Sequence, residues 1–175
     1  MNQKRSSQHR SVIQTLQQLN YDNYLLHSKW IKYCIELAQT AGERGEIPVG
    51  AVITDAQGNL IAQAANNKYR LQDATAHAEI LAIQKASKIL QNWCLGGCTL
   101  YVTLEPCPMC AGAIIQSRMG LLVYGADEPK TGAIRSVMNL PDSELSNHRL
   151  KVLAGIQGES CRLQLQSWFE NKRIN

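Results

Sequence analysis

Thr99-Leu-Tyr-Val-Thr-Leu-Glu-Pro-Cys-Pro-Met-Cys-Ala-Gly-Ala-Ile-Ile-Gln-Ser-Arg-Met-Gly-Leu-Leu-Val-Tyr124 is the stretch that decides the fold. Its first six residues are β-branched, aromatic or leucine and read as a strand. Pro106 ends that strand and suits a helix entry, so a helix is expected over 107–118. Leu121–Tyr124 then reads as the next strand. A strand, a helix and a second strand in so few residues make a β-α-β unit with parallel pairing.

Working outward, Pro48–Ile53 and Leu60–Ala65 flank Asp55-Ala-Gln-Gly58 and read as a hairpin. A helix from about Ser28 to Gly42 precedes it, carrying Trp30, Ile31, Cys34, Ile35, Ala38 and Ala41 on one side. Another is expected over 76–90, with Ile80, Leu81, Ala86, Ile89 and Leu90 as core contacts. Beyond Tyr124, residues 127–148 read as a long polar connection, 150–154 as a fifth strand and 158–172 as a last helix. The order α-β-β-α-β-α-β-β-α implies an α/β chain: a three-layer α-β-α sandwich on a mixed five-stranded sheet.

The chain has 175 residues, 45% of them apolar and 18% charged, as an ordinary globular domain does. No apolar run is long enough for a membrane span, so no membrane partner is expected. Three of the four net positive charges lie in residues 1–10, so composition alone makes no nucleic-acid surface. Residues 1–27 read as a polar, poorly ordered extension, in which Val12, Ile13, Leu16 and Leu19 could form one short helix, and residues 28–175 as the domain. With six cysteines and no apolar leader, the thiols point to metal or catalytic use in a reducing compartment, hence a cytoplasmic location. Organellar targeting by the basic tail is the lesser alternative.

Two short motifs carry the chemistry: Thr75-Ala-His77-Ala-Glu79 and Glu105-Pro-Cys107-Pro-Met-Cys110. Cysteines at i and i+3 on a first helical turn face the same way and can grip one metal. His77 adds a third ligand and leaves a tetrahedral position open, the mark of a catalytic zinc, one per chain. Glu79, two residues from the histidine, is placed to take a proton from water and deliver it to a ring nitrogen or leaving amine. A structural zinc would need a fourth ligand, for which Cys94, Cys98, His148 and Cys161 are the remaining options.

H-x-E…P-C-x-x-C is the established signature of the zinc deaminases, and the mechanism attached to it is theirs. From Ser28 to Phe169 the chain resembles the bacterial tRNA-specific adenosine deaminases, a cytidine deaminase-like family. The resemblance is carried by Ile47–Val52, Asn66–Glu79, Thr99–Ala113, Ser117-Arg118, Tyr124–Ala126, Lys130–Ala133 and Asn147–Arg149. It implies His77, Cys107 and Cys110 as zinc ligands, Glu79 as proton shuttle, and Asn66, Val49 and Ala78 as substrate contacts. It further implies deamination of the wobble adenosine to inosine in a tRNA anticodon stem-loop, a homodimer, and Arg118, Lys130 and Arg149 as candidate phosphate contacts. Asn66 read alone is a turn residue after a strand. Two departures stand against the family pattern: Asp127-Glu128-Pro129 is acidic where some relatives are basic, and the end Phe169–Asn175 is short and less basic. The alternatives are a free-base or nucleoside deaminase acting on guanine or cytosine, and an inactive zinc-stabilised RNA-binding subunit.

Overall fold

In the computed structural model, residues 13–14, 19–144 and 146–174 are described. The central sheet runs β3 (Leu60–Ala65), β2 (Gly50–Thr54), β4 (Thr99–Leu104), β5 (Leu121–Ala126), β6 (Lys151–Ala154), with a two-residue strand β1 (Ile13–Gln14) added at the β6 edge. β2 pairs antiparallel with both β3 and β4, whereas β4, β5, β6 and β1 are mutually parallel. The mixed five-stranded sheet is therefore present, with β1 as a short sixth member. The expected hairpin and β-α-β unit lie where the turn residues and Pro106 put them.

Both faces are covered. Ala51, Ile53, Leu100, Val102, Leu122 and Tyr124 pack under α3 (Ala78–Leu90) and α4 (Pro108–Gln116). Val52, Tyr101, Val123 and Leu153 pack under α1 (Tyr21–Glu43) and α5 (Gly158–Ile174). That is the three-layer sandwich, and it explains why the central strands are apolar on both faces rather than alternating. α1 approaches β2 so closely that a side chain on Gly50 would sit 2.1 Å from the Cys34 carbonyl oxygen.

Three local readings are corrected. α1 starts at Tyr21, seven residues before Ser28, because Asn20 caps it by accepting the Asn23 N–H at 2.8 Å. The last residues of the expected extension thus belong to the first helix. Ile13 lies in β1, pairing with Val152, rather than in a short helix; of the other members of that reading, Val12 and Leu16 lie outside the described residues, and Leu19 packs against the core outside any helix. On α3 the buried stripe is Ala78, Ala82 and Ala86 with Glu79, while Ile89 and Leu90 are 62% and 42% exposed. Small residues at i, i+4 and i+8 let that helix lie close on the sheet.

The described residues of the connection 127–148 form no helix, yet they are tied down. Glu105, at the end of β4, accepts backbone N–H groups from Glu128 (3.0 Å), Ile134 (3.0 Å), Arg135 (2.7 Å) and Ser136 (3.0 Å), and the Ser136 hydroxyl. Gly132 fits against this carboxylate only without a side chain: a Cβ there would lie 2.4 Å from Oε2.

Candidate active site

The carboxyl end of β4 is where the sheet changes sense, antiparallel to β2 on one side and parallel to β5 on the other. Chains diverge at such a point and leave a crevice. Here β4 delivers Glu105-Pro106-Cys107 directly into α4, and the start of α3 comes in beside it.

His77 is the N-cap of α3 and Cys107 the N-cap of α4, and neither side chain caps its own helix. At that position Ser, Thr, Asp or Asn would turn back onto a backbone N–H. These two turn toward each other instead. His77 Nδ1 lies 3.8 Å from Cys107 Sγ and 3.5 Å from Cys110 Sγ. The three ligand atoms all fall within 4.8 Å of one another, the single His/Cys/Asp/Glu group of that kind among the described residues. The ligand atoms of a tetrahedral zinc stand ~3.5–3.8 Å apart, given its usual bond lengths, so the group fits that ion. Two helix N-termini converge here and favour the thiolate form of Cys107, the cap of α4.

The protonation pattern agrees. Cys107 is held down at about 4, chiefly by its hydrogen bond with Cys110, whose own thiol is pushed up in return. The hydrogen bond with Cys107 raises His77. Negative charge thus gathers on the Cys107 sulfur, with the Cys110 thiol donating to it. Glu79, the second residue of α3, is 4% exposed, and burial pushes its carboxyl above the usual range.

The remaining cysteines and His148 stay out of this group. Cys161 is buried on the opposite face of the sheet. His148 Nε2 meets the Met119 carbonyl oxygen at 2.7 Å. A fourth protein ligand, which a structural site would require, is absent among the described residues.

A cavity of about 180 Å³ opens at His77 and Cys107, and its lining includes Ile47, Val49, Asn66, Lys68, Glu79, Leu104, Glu105, Glu128, Thr131, Leu165 and Phe169. Pockets that enclose a drug-sized molecule run to ~300–1,000 Å³. This one suits a single ring system whose attachments stay outside. A larger, open depression of about 500 Å³ over α1 holds none of the triad and is lined by that helix alone.

Asn66 does more than line the pocket. Its Oδ1 accepts the Ala78 N–H at 2.9 Å and its Nδ2 donates to the Ile47 carbonyl at 3.1 Å. The side chain ties the strand side of the pocket to the start of α3 and keeps one N–H for a ligand. Val49 lines the cavity as expected, and Ala78 is buried with its N–H on Asn66.

Arg118, Lys130 and Arg149 do not line the cavity. Arg118 lies past the far end of α4, ~13 Å along the helix from its start, and donates to the Asn147 carbonyl. Lys130 and Arg149 are exposed. Asp127 forms a bidentate pair with Arg135, at 2.8 and 2.9 Å from its Nη2. Sequence reasoning missed Lys68, Leu165 and Phe169 as pocket residues. No motif marks them, and they arrive from a one-turn helix, α2 (Lys68–Leu71), and from α5. Trp168, which donates to the Gly42 carbonyl at 3.1 Å, fixes that end of α5.

Known proteins can now be set beside this geometry. The family profile of the MafB19-like deaminases matches residues 26–164. The tRNA-specific adenosine deaminase of Haemophilus influenzae is 47% identical over 145 residues, covering 83% of this chain and 84% of that protein. Its Bacillus subtilis counterpart is 45% identical over 144 residues, covering 82% and 89%. A structure solved in a study of A-to-I editing by tRNA:A34 deaminases at the wobble position superposes with a TM-score of 0.76 at 39% identity, over 78% of this chain and 99% of that one. A guanine deaminase of Nitrosomonas europaea superposes with a TM-score of 0.68 at 26% identity, over 81% and 83%. With its His/Cys/Cys ligand group, its fold and this level of identity, the chain belongs to the tRNA-specific adenosine deaminase family of the MafB19-like deaminases.

Proposed function

We propose that this protein hydrolyses the wobble adenosine of a tRNA anticodon stem-loop to inosine, with one zinc ion per chain held by His77, Cys107 and Cys110. The observation that carries the reading is the placing of a buried acid, Glu79, in the same small cavity as an incomplete ligand set. An inactive, zinc-stabilised subunit would have no use for that acid. A zinc ion there supplies Lewis acidity that lets a water ionise near neutral pH. Glu79 removes a proton from the water facing C6 of the adenine as the water oxygen bonds to C6, and returns that proton to the ring nitrogen. The C6–N bond then breaks, Glu79 passes the second proton to the leaving amine, and ammonia and inosine result. Asn66 offers its remaining amide N–H to the base, and Val49 and Ile47 give the ring an apolar wall. The cavity admits a base and leaves sugar and phosphates outside, which suits a nucleotide turned out of a loop, where extrusion is cheapest.

The homodimer belongs to the same reading. Ile89, Leu90 and Trp93 stand exposed at the end of α3, and large apolar side chains grouped on a surface favour a second copy. A cytoplasmic location accords with six unpaired cysteines.

The test is incubation with a panel of tRNAs, reading inosine by sequencing, alongside free adenosine, guanine, cytosine and their nucleosides. Inosine at the wobble position, with free adenosine nearly inert, is the expected result. In parallel, Glu79→Gln should retain zinc and lose ~10²–10⁴-fold in turnover. Efficient turnover of free guanine or cytosine, with no inosine in any tRNA, would move the protein to the small-molecule deaminases.

A further inference from the structure

Glu46 is 1% exposed, and its Oε1 accepts the backbone N–H groups of Tyr69 (2.9 Å) and Arg70 (3.1 Å). Its Oε2 is buried and unpartnered among the described residues. A carboxylate withdrawn from water is costly, so what it holds should matter. What it holds is α2, a single turn whose other attachments are equally firm. Asn67 N–H donates to the Ala76 carbonyl at 3.0 Å, and Asp73 N–H to the Lys68 carbonyl at 3.1 Å. Yet this well-fixed turn adds no side chain to the core. It presents Lys68 to the cavity wall, leaves Tyr69 63% exposed, and leaves Arg70 in solvent. Stability does not account for anchoring an exposed tyrosine between two cations with a buried acid.

The charges around the cavity make the same point. Glu79, Glu105 and Glu128 line it, and among the described residues Lys68 is the one lysine or arginine that does. Arg135 does not line it and is engaged by Asp127. A base that enters this cavity leaves its phosphates outside it, where a lining with a single lysine offers them little attraction. Glu46 already occupies the N–H groups of Tyr69 and Arg70, so any attraction from this turn has to come from side chains. Aromatic rings interleaved with Lys and Arg are how proteins hold unpaired nucleotides: the ring stacks on a base and the cations follow the backbone.

We propose that Lys68-Tyr69-Arg70 is a single-strand clamp on the pocket rim, in which Tyr69 stacks on the base adjoining the target adenosine and Lys68 and Arg70 meet the flanking phosphates. The proposal rests on the reading that the substrate is an RNA loop. It supplies what the cavity alone cannot, a reason to prefer a polynucleotide over a free base.

The experiment uses a stem-loop with the wobble adenosine and 2-aminopurine placed immediately 5′ or 3′ of it. Binding is followed by fluorescence in the Glu79→Ala background and turnover in the wild-type background. Tyr69→Ala should weaken binding about 5- to 150-fold and abolish quenching of 2-aminopurine at one of the two positions. Tyr69→Phe should restore both. Lys68→Gln and Arg70→Gln should each lower the slope of log affinity against log salt by about one unit, with zinc content unchanged. Affinities within twofold of wild type and unaltered slopes in all these variants, while the wild type still deaminates the stem-loop, would overturn the clamp and leave the function intact. So would loss of zinc on Tyr69→Ala, which would assign the ring to the scaffold. A wild-type protein that makes no inosine in stem-loop or tRNA would overturn the functional reading itself, and the clamp with it.

Discussion

Asn66 shows how a single side chain can be legible in type and still hide its main task. Its amide bridges the Ala78 N–H and the Ile47 carbonyl, two backbone groups from segments far apart in sequence. Asn66→Ala should therefore do two separable things. It should lower deamination through the lost contact to the base. It should also destabilise the fold by about 2–4 kcal/mol, since each buried backbone group left unpaired costs ~1–3 kcal/mol. Denaturant unfolding measures the second effect without substrate. His77, Glu79, Cys107 and Cys110 could be read directly, because residue type and spacing are the chemistry there. Asn66 as a bridge could not, since its two partners meet it only through the hairpin. Lys68 and Phe169 were invisible for the same reason: a lysine and a phenylalanine carry no motif until the fold brings them to one cavity.

At the scale of the element, α4 was readable from Pro106 and the first-turn cysteines, whereas α1 and α3 were misjudged in instructive ways. The Gln- and Asn-rich stretch before Ser28 looked like a tail, but Asn20 is a cap and Tyr24 packs against the core beside Leu19. On α3, the expected contacts Ala86 and Leu81 do meet the core, but Ile89 and Leu90 do not, and Ala78 and Ala82 complete the buried stripe. Close packing selects small side chains, which hydrophobicity alone undervalues. The connection 127–148 read as polar loop because the residue that organises it, Glu105, belongs to another segment. Glu105→Gln keeps the shape but aims an amide at a ring of N–H donors. Bonds to a charged acceptor contribute ~1.5–3 kcal/mol each, so the change should cost about 2–4 kcal/mol. Limited proteolysis should then cut within residues 127–136 in the variant and spare them in the wild type. Unchanged cleavage would mean the carboxylate is not what holds the connection.

For the whole molecule, the layer order followed from the succession of elements, because parallel strands joined by a helix need cover on both faces. The edge strand β1 did not follow, as two residues leave no periodicity to read. The two core clusters contain none of the three metal ligands. Removing zinc with a chelator should therefore leave the far-ultraviolet circular dichroism nearly unchanged. The midpoint of thermal unfolding should still fall by roughly 10 °C, the shift expected from losing ~4 kcal/mol of ligand linkage in a domain of this size. Zinc added back should restore it, whereas collapse of the dichroism would show that the metal builds the fold. The two N-caps that supply the ligands also have a consequence for how the chain could be divided. His77 and Glu79 lie before the turn at Gln91, and Cys107 and Cys110 after it. Severed there, the polypeptide becomes two halves, one holding the acid and one ligand, the other holding two thiols. Neither half could do chemistry alone, and the ion would become the rivet whose presence decides whether the pair reassembles.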